Sequence, residues 1–129
     1  SQDTNLMIEK NMRQLVEGIC ESFGVSAEVK YETTCPVTFN QPKQAEAATK
    51  AAITLLGDDK CNGDIDPRPF SEDFSIMSEN TPGCFVLMGN GTSGSYGKPL
   101  HSADYDFNDE LLVKGSSYWV ELAEQQLQK

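Results

Sequence analysis

Apolar and polar residues alternate along this chain with two periods, and the places where the period changes mark its elements. From Thr4 to Phe23, the residues Ile8, Met12, Leu15, Val16, Ile19 and Phe23 return at helical spacing. They form one stripe of an amphipathic helix, with Thr4 as its cap and Gly24 as its left-handed stop. Residues 25–33 then alternate strictly. Val25, Ala27, Val29, Tyr31 and Thr33 share one face, and Ser26, Glu28, Lys30 and Glu32 the other, which predicts a half-solvated strand. One helix and one strand do not make a stable unit, so this strand needs partners from later in the chain or from another molecule.

Cys35-Pro36 breaks the alternation. Pro42 suits a first helical turn, and a second helix is predicted from about Pro42 to Leu56, ended by Gly57. Ala45, Ala48, Ala52, Leu55 and Leu56 lie on its expected buried side, where the alanines allow close packing on a sheet. Asp58 to Pro69 is polar, with a short strand expected near Cys61–Ile65; Pro67 and Pro69 exclude a central strand at their own positions. Ser71, Glu72 and Asp73 read as a helix start: a hydroxyl cap, then carboxylates at the positive end of the dipole. A short helix should carry Phe74 and Met77 inward.

Pro82-Gly83 turns the chain into Cys84-Phe85-Val86-Leu87-Met88, the longest clean apolar run and a predicted buried strand. Gly89 to Gly97 is glycine-rich but lacks the Gly-Lys-Ser/Thr ending of a phosphate loop and does not fit a dinucleotide fingerprint. It predicts a flexible loop over a pocket. A last helix is predicted from near Asn108, with Leu111, Leu112, Gly115, Tyr118, Trp119, Leu122 and Leu127 on a broad apolar side. The fold class expected from this order is α/β: a small mixed sheet flanked by helices, with a helix–strand extension at the N-terminus. The exposed strand edge of that extension predicts self-association into a homo-oligomer.

Composition narrows the function classes. A length of 129 residues suits one ordinary domain, and 38% hydrophobic with 23% charged residues is a globular balance rather than that of a disordered tail. A net charge of −10 repels phosphate backbones and anionic lipid, which excludes nucleic acid and membrane surfaces as expected partners. No stretch approaches the roughly 20 apolar residues of a membrane span. Ser1-Gln2-Asp3-Thr4-Asn5 has neither the basic and apolar regions of a secretory leader nor a starting Met. The start therefore reads as a processing or expression boundary, and the expected location is the cytoplasm. Cys20, Cys35, Cys61 and Cys84 form no C-x-x-C pair, so a zinc ribbon is not supported. Three disulfide pairings are open in principle; without a secretory signal, free buried thiols are expected. Asn90-Gly91-Thr92 fits a glycosylation acceptor but reads as a turn.

The candidate chemistry gathers in Gly97-Lys98-Pro99-Leu100-His101-Ser102-Ala103-Asp104-Tyr105-Asp106-Phe107-Asn108-Asp109, which holds the only histidine. A neutral imidazole ligates zinc, manganese, cobalt or nickel, and its second nitrogen is usually held by a carboxylate, a role open to Asp104 or Asp106. The competing reading is a surface-loop histidine with no ligand role. One histidine also falls short of the about three protein ligands of a catalytic site. Nothing marks a nucleophilic serine, so no catalytic residue is assigned. Glu72 and Asp73 are either supports for the metal loop or simple partners for helix amides. Tyr96, Tyr105 and Trp119 could line a pocket, but read better as core aromatics.

Three motifs occur in order: Phe70-Ser71-Glu72-Asp73-Phe74-Ser75, then Pro82-Gly83-Cys84-Phe85-Val86-Leu87-Met88-Gly89, then Pro99 through Asp109. The set closely resembles the C-terminal end of the metal-dependent amidohydrolases that include hippurate hydrolase, N-acyl-amino-acid amidohydrolases and auxin-conjugate hydrolases. These are grouped with aminoacylase and carboxypeptidase G in one metallopeptidase family. The likeness runs from about Thr4 to Leu127, with Ser71 standing where the family usually has glycine. It implies that residues 1–33 correspond to the last helix and strand of a lid domain that mediates dimerisation. Residues 34–129 then correspond to the C-terminal part of a catalytic domain.

The resemblance also makes His101 a metal ligand. It implies a reaction in which two cations, about 3.5–4 Å apart, assist hydrolysis of an N-acyl amino acid or similar amide. The family's other ligands, a Cys-x-His pair, a glutamate and a second histidine, lie upstream with the catalytic glutamate, and none has a counterpart here. No cysteine of this chain has a histidine two residues on. The expectation is the back third of a zinc or manganese enzyme that binds metal weakly and does not turn over by itself. The rival is a non-catalytic binding or assembly domain that keeps the scaffold.

Overall fold

The computed structural model describes residues 1–127, and its regular elements are helices joined by turns and irregular segments. Four α-helices follow in chain order: α1 (Gln2–Phe23), α2 (Pro42–Leu56), α3 (Phe74–Ser78) and α4 (Leu111–Leu127). Single 3₁₀ turns lie at Asp58–Lys60 and Gly94–Gly97. The chain divides into two units, Ser1–Phe39 with Pro69–Thr81, and Asn40–Arg68 with Pro82–Lys129.

The first unit is built on α1. Its cap is Ser1 rather than Thr4: the Ser1 hydroxyl accepts from the Thr4 amide at 3.2 Å. Its end is a paired-carbonyl stop. The Gly24 N–H donates to Glu21 O and the Val25 N–H to Cys20 O, with Gly24 at φ 65°. Residues 25–33 then run back beside α1, held by side chains. Arg13 Nη1 donates to Val29 O at 2.8 Å, Tyr31 OH donates to Asn5 Oδ1 at 2.6 Å, and Asn5 Nδ2 donates to Thr33 Oγ1 at 3.0 Å. The alternation appears in burial only at Val29 and Tyr31, which are half-buried between exposed neighbours; Val25, Ala27 and Thr33, on the same expected face, are exposed. α1 itself buries no residue completely.

α3 is a single short turn of helix. Neither Ser71 nor Asp73 caps it: the residue before the helix is Asp73, which has helical backbone angles and makes no side-chain cap bond. Ser75 is fully buried, and its hydroxyl donates to Glu72 O at 2.5 Å. Phe74 is half-buried, but Met77 is 62% exposed and does not turn inward.

The second unit is organised by α2 packed on α4. Ala48, Ala51 and Tyr118 are the buried apolar residues among those described. The buried face of α2 thus runs through Ala51, a position rotated from the expected stripe, and Leu55 lies outside it. On α4, Leu111, Gly115, Tyr118 and Leu122 form the covered stripe, at steps of four, three and four. Leu112, Trp119 and Leu127 face away, so Trp119 is not a core aromatic. Tyr118 OH donates to Ala48 O at 3.4 Å and Gln125 Nε2 to Thr54 Oγ1 at 3.4 Å, two long bonds that tie the helices together.

The expected α/β class is overturned, because no strand and no sheet occur among the described residues. A strand is defined by its ladder, and alternation reports which side is wet, not what pairs along the edge. At residues 84–88 the ladder is replaced by one amide. Phe85 N–H donates to Asn40 Oδ1 at 2.7 Å, and Asn40 Nδ2 donates to Phe85 O at 2.9 Å, so a side chain satisfies both backbone groups of Phe85. Val86, Leu87 and Met88 are 44, 57 and 45% exposed, against the expectation of a buried run. The short strand expected near Cys61–Ile65 is a turn in which Asp64 N–H donates to Asn62 Oδ1. All four cysteines are free, as expected, but half-buried rather than buried.

Candidate metal-ligand loop

The loop that carries His101 joins the irregular segment 84–90 to α4 and lies wholly within the second unit. Its first part is wound tightly. Gly97 N–H donates to Ser93 O, and a Cβ on Gly97 would sit 2.6 Å from Thr92 C. At Gly91, φ is 145° and a Cβ would meet that of Tyr96 at 2.8 Å. Only glycine fits at either place. The expected flexible cover is thus a folded 3₁₀ turn, although its residues are exposed.

The second part holds two successive turns. Ser102 N–H donates to Pro99 O at 3.1 Å, and Tyr105 N–H donates to Ser102 O at 3.1 Å. His101 is the third residue of the first turn and has φ 69°, the only positive φ of a non-glycine residue among those described. A positive φ at that position is the type II pattern, where glycine or asparagine is usual. The imidazole is exposed, and among the described residues no hydrogen bond reaches it. Asp104 and Asp106 share the loop, but the bonds they make are through the backbone: Asp104 N–H donates to Ser102 Oγ, and Asp106 O accepts from Asn90 Nδ2.

Glu72 and Asp73 belong to the first unit, at the start of α3, where Glu72 is half-buried and Asp73 exposed. Among the described residues no three His, Cys, Asp or Glu side chains gather into a group able to hold a metal ion. A resident cation needs about three protein ligands, and the residues present do not fit one. Among the described residues His101 belongs to no such group.

Two acids are perturbed, both away from the loop. Burial pushes the Cys84 thiol above its ordinary value, and burial with the field of Cys84 does the same to the Tyr118 phenol. The residues that sequence reasoning passed over are Asn90 and Asn108, read there as a turn and a helix start. Their signal was positional: the two asparagines bracket the histidine loop.

A profile described as Peptidase family M20/M25/M40 matches residues 4–125. The chain is 27% identical over 121 residues to hippurate hydrolase of Campylobacter jejuni, covering 94% of this chain and 30% of that protein. It is 33% identical over 117 residues to N-acetylcysteine deacetylase of Bacillus subtilis, covering 90% and 29%. It is 29% identical over 108 residues to thermostable carboxypeptidase 2 of Saccharolobus solfataricus, covering 81% and 26%. The chain thus spans less than a third of the length of these curated relatives. No solved structure matches it.

Proposed function

Because the chain belongs to peptidase family M20/M25/M40, whose enzymes are generally metal-dependent hydrolases, we propose that it is the C-terminal portion of an amide hydrolase acting on N-acyl amino acids or related amides. Residues 1–33 are the last helix and following segment of the lid domain, and residues 34–129 the C-terminal part of the catalytic domain. The observation that carries this reading is the family match across residues 4–125. Two of the matched relatives are named for N-acyl amino acids, hippurate and N-acetylcysteine, and a third is named as a carboxypeptidase.

Within that reading His101 is one donor to the divalent metal of the whole enzyme, zinc or manganese, with cobalt or nickel as further candidates. Asp104 and Asp106, on the same loop, are its candidate supports. Imidazole nitrogen suits all four metals. The metal would supply the Lewis acid for amide hydrolysis. This chain's own contribution is to present an imidazole on a shaped turn, and no reaction step can be written through its residues alone. The chain by itself is accordingly inactive. Four free thiols suit a reducing cytoplasm. The apolar side of α1, with Leu15 64% and Phe23 79% exposed, supports association into a homo-oligomer.

The lack of a three-ligand group among the described residues favours a second reading, a binding or assembly domain without catalysis. One experiment separates the two. The chain and its His101→Ala variant are titrated with Zn²⁺ and Mn²⁺ by calorimetry, and each is assayed on hippurate and N-acetylcysteine. The expected result is weak binding that His101→Ala abolishes, with no turnover. Turnover that disappears in His101→Ala would overturn the claim of inactivity. Binding that is indifferent to His101 would remove the ligand role and leave the second reading.

A further inference from the structure

We propose that Asn90 is the positioning residue of the His101 loop, a clasp that shapes residues 91–107 and so aims the imidazole. The inference uses the ligand reading of His101 only for its meaning to function; the clasp itself stands on geometry. Asn90 Nδ2 donates to two carbonyls at once, Tyr96 O at 3.1 Å and Asp106 O at 2.8 Å. Its Oδ1 accepts from Asn108 N–H at 2.9 Å, and its backbone O accepts from Asn108 Nδ2 at 3.3 Å. One half-buried side chain therefore holds the end of the tight 91–97 turn and the far end of the loop together.

Asn108 carries the constraint onward. Its Oδ1 accepts from Glu110 N–H at 3.1 Å and its backbone O from Leu111 N–H at 2.9 Å, at the start of α4. The loop is thus tied at one end to a 17-residue helix that packs on α2. Between the pinned carbonyls of Tyr96 and Asp106 the chain makes two successive turns, and the first places the histidine at φ 69°. A non-glycine residue persists in that region only when its surroundings over-determine the backbone. Among the described residues no hydrogen bond reaches the His101 ring, so the constraint acts through the backbone, and the Asn90 bonds are the ones that span the loop.

The test uses the isotope-labelled whole chain as wild type, Asn90→Ala and Asn90→Asp. Amide relaxation is read at residues 100–104, and hydrogen exchange at Asn108, with Ala48 and Ala51 of α2 as internal controls. Mn²⁺ alone is then added and broadening of the His101 ring signals is followed. In Asn90→Ala, Asn108 should exchange roughly tenfold faster and residues 100–104 should become mobile, while Ala48 and Ala51 stay protected. Asn90→Asp keeps the size and the acceptor but sets carboxylate oxygens against the carbonyls of Tyr96 and Asp106. It should therefore loosen residues 100–104 as Asn90→Ala does, which a merely space-filling residue would not.

Broadening of His101 by Mn²⁺ in the wild type should weaken several-fold in both variants. Wild-type loop order in either variant overturns the clasp, even if Mn²⁺ still broadens His101. Loop disorder in the variants, with no Mn²⁺ effect in any protein, upholds the clasp and overturns the ligand role instead.

Discussion

Replacing His101 by glycine should stabilise the second unit while removing its only imidazole. The reasoning begins from φ 69° at His101. The left-handed region costs a residue with a Cβ about 1–2 kcal/mol, and glycine is spared that cost. Glycine in turn loses about 0.5–1 kcal/mol more conformational freedom on folding. Because the ring is exposed and accepts or donates no hydrogen bond among the described residues, little else changes on its removal. The difference leaves His101→Gly more stable than His101→Ala by about 0.5–1 kcal/mol, with His101→Ala near the wild type.

The assay is urea unfolding followed by the fluorescence of Trp119, the single tryptophan, which lies in the same unit as His101. With a slope of about 1.5 kcal/mol per molar urea, the midpoints should differ by about 0.3–0.7 M. His101→Gly unfolding at or below the midpoint of His101→Ala would refute the argument, because it would mean that the turn does not store strain. The expected outcome is a residue kept against local stability, which is usual where a side chain serves function.

Other outcomes follow from the packing and the perturbed acids. Tyr118→Ala should cost about 3–5 kcal/mol by emptying the α2–α4 interface, whereas Tyr118→Phe should cost under about 1 kcal/mol because its bond to Ala48 O is long at 3.4 Å; paired urea curves check both. Ala51→Leu, at a fully buried site, should cost about 1–3 kcal/mol by overpacking, and an unchanged midpoint would show that the helices can part freely. Alkaline pH should destabilise the same unit. Cys84 and Tyr118 have folded values raised above their ordinary 9.0 and 10.0, so the folded chain keeps protons that the unfolded chain releases. Their contribution is complete below about pH 9 and fades as pH climbs towards the folded values. Midpoints measured between pH 8 and 11 should fall, and Cys84→Ala should delay the onset of that fall. The calorimetric and relaxation tests of His101 and Asn90 complete the set.

How much was legible in the chain depends on how far each signal reaches. The four helices are legible in apolar spacing and local breakers, although the caps expected at Thr4 and Ser71 are not the ones the structure uses. Gly24 ends α1 and Pro42 opens α2 as local chemistry requires. His101 was visible as the only imidazole, and its motif neighbours pointed to the family that the profile match shows. The alternation of residues 25–33 predicts neither pairing nor, outside Val29 and Tyr31, which side is covered.

Only the tertiary structure decided the rest. A ladder needs a second backbone at the right register, and in its place Asn40 closes on Phe85, while Arg13 and Asn5 hold residues 29–33 beside α1. The choice of Ala51 over Leu55 and of Tyr118 over Trp119 for the interior depended on how α2 and α4 meet, which neither helix encodes separately. The bonds from Asn90 to Tyr96, Asp106 and Asn108 span up to 18 residues, and the left-handed turn at His101 lies inside them. Local periodicity determines which segments coil, while packing decides which of their sides is covered. Hydrogen bonds between residues far apart in the chain determine what those segments hold, and here they shape the loop around a histidine.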